Sequence, residues 1–162
     1  MVQETDARLA ERTAKHVARG GRVCLRVHGV SMLPWVRPRD IVVVRGTQLE
    51  AIRCGDLVLF ARHGRLFVHR VVEKRDLAWN SHLLAKGDSH PKPDDPIHAE
   101  ELLGRVVRIH RGKRRIDLDT PWESFKSSLI TFISGRGGSW YPVGKLAAMT
   151  MSPIRRLAAF FE

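Results

Sequence analysis

Hydrophobic and polar positions alternate in three regimes along the chain. Residues 4–19 repeat at helical spacing, with Leu9, Ala10, Thr13, Ala14 and Val17 near one face. Gly20-Gly21 ends that helix. The segment is short and mostly polar, which suits a lid or support better than a domain. From residue 22 to 119 the period shortens to two. Arg22–Val27 sets Val23, Leu25 and Val27 against Arg22, Cys24 and Arg26, and Ile41–Val44 is a short β-branched run. Asp56–Ala61 and Leu66–Val72 flank Arg62-His63-Gly64-Arg65, which reads as a hairpin turn. Leu103–Ile109 is a further strand, and Arg115–Leu118 one more. The proline- and aspartate-rich stretch Gly87–Pro96 is excluded from a central strand and reads as an ordered loop. Beyond residue 120 helical spacing returns. Trp122–Ser134 places Phe125, Leu129, Ile130 and Ile133 on one side, residues 135–139 break it, and Val143–Phe161 is a second amphipathic segment interrupted by Pro153.

These elements predict a mainly β chain: a compact, coiled antiparallel β-fold or partial barrel, with a short N-terminal helix and C-terminal amphipathic helices. The expected organisation is a helical segment over 1–21, a β-domain over 22–119 and a helical appendage over 120–162.

Composition narrows the setting. The 162 residues carry 28 basic and 17 acidic side chains, a formal charge of +11. Such an excess suits an anionic partner, or simply a basic solvated surface. The first twenty residues are charged throughout and contain no apolar signal core. No stretch approaches the ~20 apolar residues a spanning helix needs. The expected location is therefore cytoplasmic, or peripheral to a membrane. In the C-terminal zone Trp140, Tyr141, Leu146, Ile154, Leu157, Phe160 and Phe161 lie beside Lys145, Arg155 and Arg156. That pattern fits a membrane-surface helix as well as one packed on the β-domain. Cys24 and Cys54 read as small, mostly buried hydrophobes. The histidines show neither HExxH nor paired zinc-ligand spacing, so no metal and no cofactor is expected.

Three segments carry candidate chemistry. Gly29-Val30-Ser31-Met32-Leu33-Pro34 follows a predicted strand. A serine hydroxyl there needs a base to take its proton and donors for an oxyanion. Gly29 permits close approach of substrate to backbone, and Pro34 fixes the exit of the turn. A serine between Gly and Pro is, by itself, most often a plain turn residue. Phe67-Val68-His69-Arg70-Val71-Val72 embeds a histidine in an apolar strand, where its ring requires a polar partner. A backbone carbonyl would serve as well as a catalytic group. Lys86-Gly87-Asp88-Ser89-His90-Pro91-Lys92-Pro93-Asp94-Asp95 gathers three carboxylates, one of which could orient an imidazole.

The order of these segments, with Cys54-Gly55-Asp56-Leu57-Val58-Leu59-Phe60 and Leu103-Gly104-Arg105-Val106-Val107 between and after them, resembles signal peptidase I and its LexA-type relatives over roughly residues 23–111. The resemblance implies a serine endopeptidase with Ser31 as nucleophile. In the bacterial and LexA-like branches a lysine on the strand corresponding to Leu66–Val72 is the base. The endoplasmic-reticulum and archaeal branch uses a histidine in a His-Arg-Val/Ile motif, which His69-Arg70-Val71 resembles. That branch also has a required aspartate in an Asp-Asp pair. Asp95 is the best match, Asp94 its neighbour and Asp88 the alternative. Gly29, Met32, Pro34 and Val68 are the implied substrate-contacting positions, and the Ser31 backbone N–H the implied oxyanion donor. The familiar serine two positions before the nucleophile is replaced by Gly29, as in LexA relatives.

The implied substrate is an extended peptide or precursor protein with small side chains near the cut. His28 and His90 lie close to the site in sequence. Two alternatives remain at this level. One is a LexA-like autoprotease that cuts itself, for example near Leu146-Ala147-Ala148. The other is a non-catalytic binding protein using Arg108, Arg111, Lys113, Arg114 and Arg115, although no nucleic-acid motif is present and nucleic acid is not expected.

Overall fold

The computed structural model describes residues 2–76, 81–119 and 159–161. Helix α1 spans Val2–Ala18 and ends at Gly20, whose φ of 82° suits a residue without Cβ. The strands are β1 (Arg22–Arg26), β2 (Ile41–Arg45), β3 (Leu57–Arg62), β4 (Arg65–Arg75), β5 (His82–Lys86), β6 (Leu102–Arg111), β7 (Arg114–Asp117) and β8 (Ala159–Phe161). They form one antiparallel sheet in the order β5-β4-β3-β6-β2-β1-β8, with β7 paired to β6 off this path. The mainly β, coiled antiparallel architecture is the one the alternation predicts.

Burial explains why β3 has no alternation. Leu57 and Leu59 enter an apolar cluster with Val23, Leu25, Val42, Val44 and the α1 residues Ala10 and Val17. Val58 and Phe60 enter a second cluster with Leu49, Ile52, Val71, Leu83 and Ile97. Successive side chains of a strand point to opposite faces, so a strand covered on both reads as an unbroken apolar run. The β3–β4 connection is the predicted hairpin, and its loop is two residues long. His63 and Gly64 have φ of 51° and 70°, the positive pair that a type I′ turn requires.

Two expectations are corrected. Ala159–Phe161, read as part of an amphipathic helix, is a strand that pairs with β1 through Val23↔Phe161 and Leu25↔Ala159. It satisfies backbone groups on β1 that would otherwise form a bare sheet edge. The remainder of the predicted C-terminal helices lies outside the described residues. Cys54, expected to be buried, is exposed at the turn before β3, and Cys24 is half-buried; neither is in a disulfide. Strand β5 was not delimited from sequence, because His82 and Lys86 at its ends hide a buried apolar centre. Among the described residues no helix is long and apolar enough to cross a membrane.

Candidate active site

Strand β4 carries His69 on the face of the second apolar cluster, together with Phe67 and Val71. Its ring packs edge-on to Phe60, with centroids 5.9 Å apart, and tilted to Phe67 at 6.2 Å. A buried imidazole in such company must find polar partners from outside the strand. Two loops supply them. His69 Nε2 lies 3.1 Å from Ser31 Oγ, and His69 Nδ1 lies 2.5 Å from Asp94 Oδ2. An ionised carboxylate can only accept, so Nδ1 donates to Asp94, and in the neutral ring the Nε2 lone pair then faces the serine hydroxyl. The three groups thus form a relay able to remove a proton from Ser31.

Ser31 stands in a tight turn after β1. The Leu33 N–H donates to the Val30 carbonyl at 3.1 Å, and the Val36 N–H to the Met32 carbonyl at 2.9 Å. The turn is held from across the site by Ser89. The Ser89 N–H donates to the Ser31 carbonyl at 2.9 Å, and its hydroxyl lies 3.0 Å and 3.2 Å from the Ser31 and Val30 carbonyls. Gly87 makes this approach possible, since a Cβ there would stand 2.8 Å from the Ser31 carbonyl oxygen.

The loop after β5 is fixed at both ends. Asp94 N–H donates to the Ala85 carbonyl at 2.8 Å, which directs Asp94 towards His69. Arg62 donates through Nη1 to the Asp95 carbonyl at 3.2 Å and through Nη2 to the Pro96 carbonyl at 2.8 Å, while Glu101 grips the same guanidinium at 2.6 Å. That hydrogen bond to Arg62 holds the Glu101 carboxyl below its ordinary value.

The carboxylate at the imidazole is therefore Asp94, and neither Asp95 nor Asp88. Asp95 is exposed, one residue out of register with the site. Asp88 instead forms a bidentate pair with Arg70, both contacts at 2.8 Å, and both side chains are only 4 % exposed. Arg70 also donates to the Gly55 carbonyl at 3.1 Å. This pair joins the strand that carries His69 to the turn that holds Ser31.

The nominated substrate positions divide. Open space surrounds the missing side chain of Gly29. Met32 is 2 % exposed and belongs to the first apolar cluster, so its side chain is core rather than a substrate contact. Pro34 is exposed, and Val68 is partly buried against that same cluster.

His90, which the sequence already places near the site, is brought to it by the loop after β5. Its ring meets His69 edge-on at 5.5 Å. Burial holds its imidazole below the ordinary value; the neighbouring His69 and Lys86 act in the same direction, and Asp94 opposes them. His28 is exposed and has no such contact in the site. No group of three or more His, Cys, Asp and Glu side chains suited to a metal occurs among the described residues.

No curated protein matches the chain. The model of the peptidase S24-like family does match, over residues 2–107, which covers α1, β1–β5 and most of β6. That span is well over half of the sequence and includes Ser31, His69 and Asp94. The chain belongs to the peptidase S24-like family.

Proposed function

We propose that this chain is a serine endopeptidase that cleaves a peptide or precursor protein, with Ser31 as nucleophile, His69 as general base and Asp94 as the group that orients and stabilises the imidazole. The observation that carries this reading is the continuous contact from Ser31 Oγ through His69 to Asp94. As the hydroxyl attacks the scissile carbonyl, His69 Nε2 takes its proton, then returns it to the leaving amine. Water repeats the cycle on the acyl-enzyme. The Ser31 N–H is the oxyanion donor in this scheme.

Membership of a peptidase family supports the hydrolytic reading. The histidine base and the Asp-Asp pair favour a mechanism like that of the endoplasmic-reticulum type of signal peptidase, over the lysine of LexA relatives. Covalent labelling tests the nucleophile directly. A fluorophosphonate probe should label the wild-type protein once, at Ser31, and should fail to label Ser31→Ala and His69→Ala variants that keep the wild-type circular dichroism. Labelling at another residue would remove Ser31 from the mechanism. Family membership equally accommodates self-cleavage, which would appear as a time-dependent loss of intact mass at any protein concentration.

The contact between His90 and His69 sets an expected pH dependence. The reaction places a positive charge on His69, and a protonated His90 would oppose it from 5.5 Å away. Because His90 titrates below the ordinary histidine value, it is neutral at neutral pH and gains its proton only as pH falls through its lowered value. Stability follows the same sign, since the unfolded chain takes up this proton first on acidification. The acid limb of kcat/KM should therefore steepen to more than about one decade per pH unit in the wild type, and relax to about one decade in His90→Gln. Superimposable limbs in the two proteins would exclude His90 from this role.

A further inference from the structure

Trp35 is the one large hydrophobic side chain among the described residues that stands exposed, at 50 %. It follows Ser31 by a single turn, its N–H donating to the Met32 carbonyl at 3.0 Å. Basic residues follow it in sequence and lie on the hairpin that bonds its backbone. Arg111 Nη2 donates to the Trp35 carbonyl at 2.7 Å and pairs with Asp40, which ties the β6–β7 hairpin to this turn. The hairpin tip presents Lys113 and Arg114, and the loop beyond Trp35 presents Arg37 and Arg39. All four are exposed, and none makes an ion pair among the described residues. Asp40, in the same loop, is buried and paired with Arg111.

We propose that Trp35, Arg37, Arg39, Lys113 and Arg114 form an exosite for an acidic stretch of the substrate polypeptide flanking the scissile bond; the proposal rests on the endopeptidase reading above. A free indole is poorly suited to water and well suited to an apolar or backbone contact. Guanidinium groups beside it match carboxylates through paired N–H donors. The occupant must be continuous with the chain held at Ser31, because the cluster begins one turn from that residue. An extended segment covers roughly 3.3 Å per residue, so residues flanking the cut can run from Ser31 along the turn towards Trp35. Opposite charge at this distance raises the encounter rate and orients the chain before cleavage.

The test uses full-length Ser31→Ala protein and fluorescein-labelled peptides that share an alanine-rich core. Their flanks are a run of glutamates, of glutamines or of lysines, placed on either side of the core. Binding is read by anisotropy. The glutamate peptide with the correct side should bind at least about tenfold more tightly than the glutamine peptide, and lose that advantage as salt rises from about 50 to about 200 mM. Adding Lys113→Glu and Arg114→Glu, at an exposed hairpin tip, should remove about tenfold of its affinity, and Trp35→Ala should weaken it separately. Equal affinity for all flanks overturns the exosite, as does charge reversal without effect. Retention of a single-stranded oligonucleotide, or of phosphatidylcholine vesicles containing phosphatidylserine, that the glutamate peptide fails to displace also overturns it. Hydrolysis is read separately on the wild-type protein. Absence of hydrolysis with every flank overturns the peptidase reading, while the Ser31→Ala binding series alone decides the exosite.

Discussion

Replacing His69 with alanine should lower kcat for peptide hydrolysis by about a million-fold, since nucleophile and base act as one unit. Asp94→Asn should cost about ten-thousand-fold through a different route. An asparagine amide can donate to Nδ1 where the carboxylate could only accept, and the proton then moves to Nε2. That tautomer offers Ser31 no lone pair. It also leaves the developing imidazolium without a counter-charge in a pocket walled by Phe60 and Phe67. Asp95→Asn provides the contrast, because its side chain is exposed and its carbonyl, unaffected by the substitution, is what Arg62 holds. Its kcat/KM should stay within about threefold of wild type, as expected of a surface change away from the reacting groups. Steady-state kinetics on the three variants decide the matter. A larger loss in Asp95→Asn than in Asp94→Asn would mean that the loop rearranges in the working enzyme, and the assignment of Asp94 would fall.

Breaking the Arg70–Asp88 pair should be the most damaging single change to stability in the region. Asp88→Ala would leave a guanidinium that is only 4 % exposed facing no carboxylate, at a cost of about 3–5 kcal/mol. Removing both charges is a different operation. Arg70→Met with Asp88→Leu takes away two desolvation penalties along with one attraction, so the double variant should recover most of the loss. Urea denaturation of the two single variants and the double variant measures this coupling directly. Activity need not follow stability. The pair anchors the turn whose Ser89 holds the Ser31 carbonyl, so the refolded double variant should keep its stability while its kcat falls, about 100-fold for a nucleophile displaced by ~1 Å. A single variant as stable as wild type would show that water or another group reaches Arg70.

Side-chain periodicity was sufficient for much of the architecture. Alternation in Arg22–Arg26, the unbroken apolar run of Leu57–Phe60 and the His63-Gly64 turn each reflect constraints acting over a few residues. Ser31 and His69 were nominated by the order of motifs that resembles signal peptidase I and its LexA-type relatives, since a serine in a turn after a strand and a histidine within an apolar strand each read, taken singly, as ordinary structural residues. Short-range rules failed where the partner was distant. Strand β5 ends in His82 and Lys86, so its polar ends masked a buried centre. Ala159–Phe161 has the composition of an amphipathic helix end, yet it pairs with β1, more than 130 positions earlier.

What the chain determines by itself is which residues are capable of the chemistry: an alcohol at 31, an imidazole at 69 and a carboxylate among 88, 94 and 95. Choosing between the two adjacent aspartates took the tertiary structure. The backbone bond from Asp94 to Ala85 and the grip of Arg62 on the next two carbonyls fix which neighbour faces inward. Composition carries no record of such a one-residue register, because in a loop it is set by hydrogen bonds to strands far away in sequence. The contact of His90 with His69, the burial of Met32 and the bond from Arg111 to the Trp35 carbonyl have the same origin. Each depends on which surfaces the folded sheet brings together.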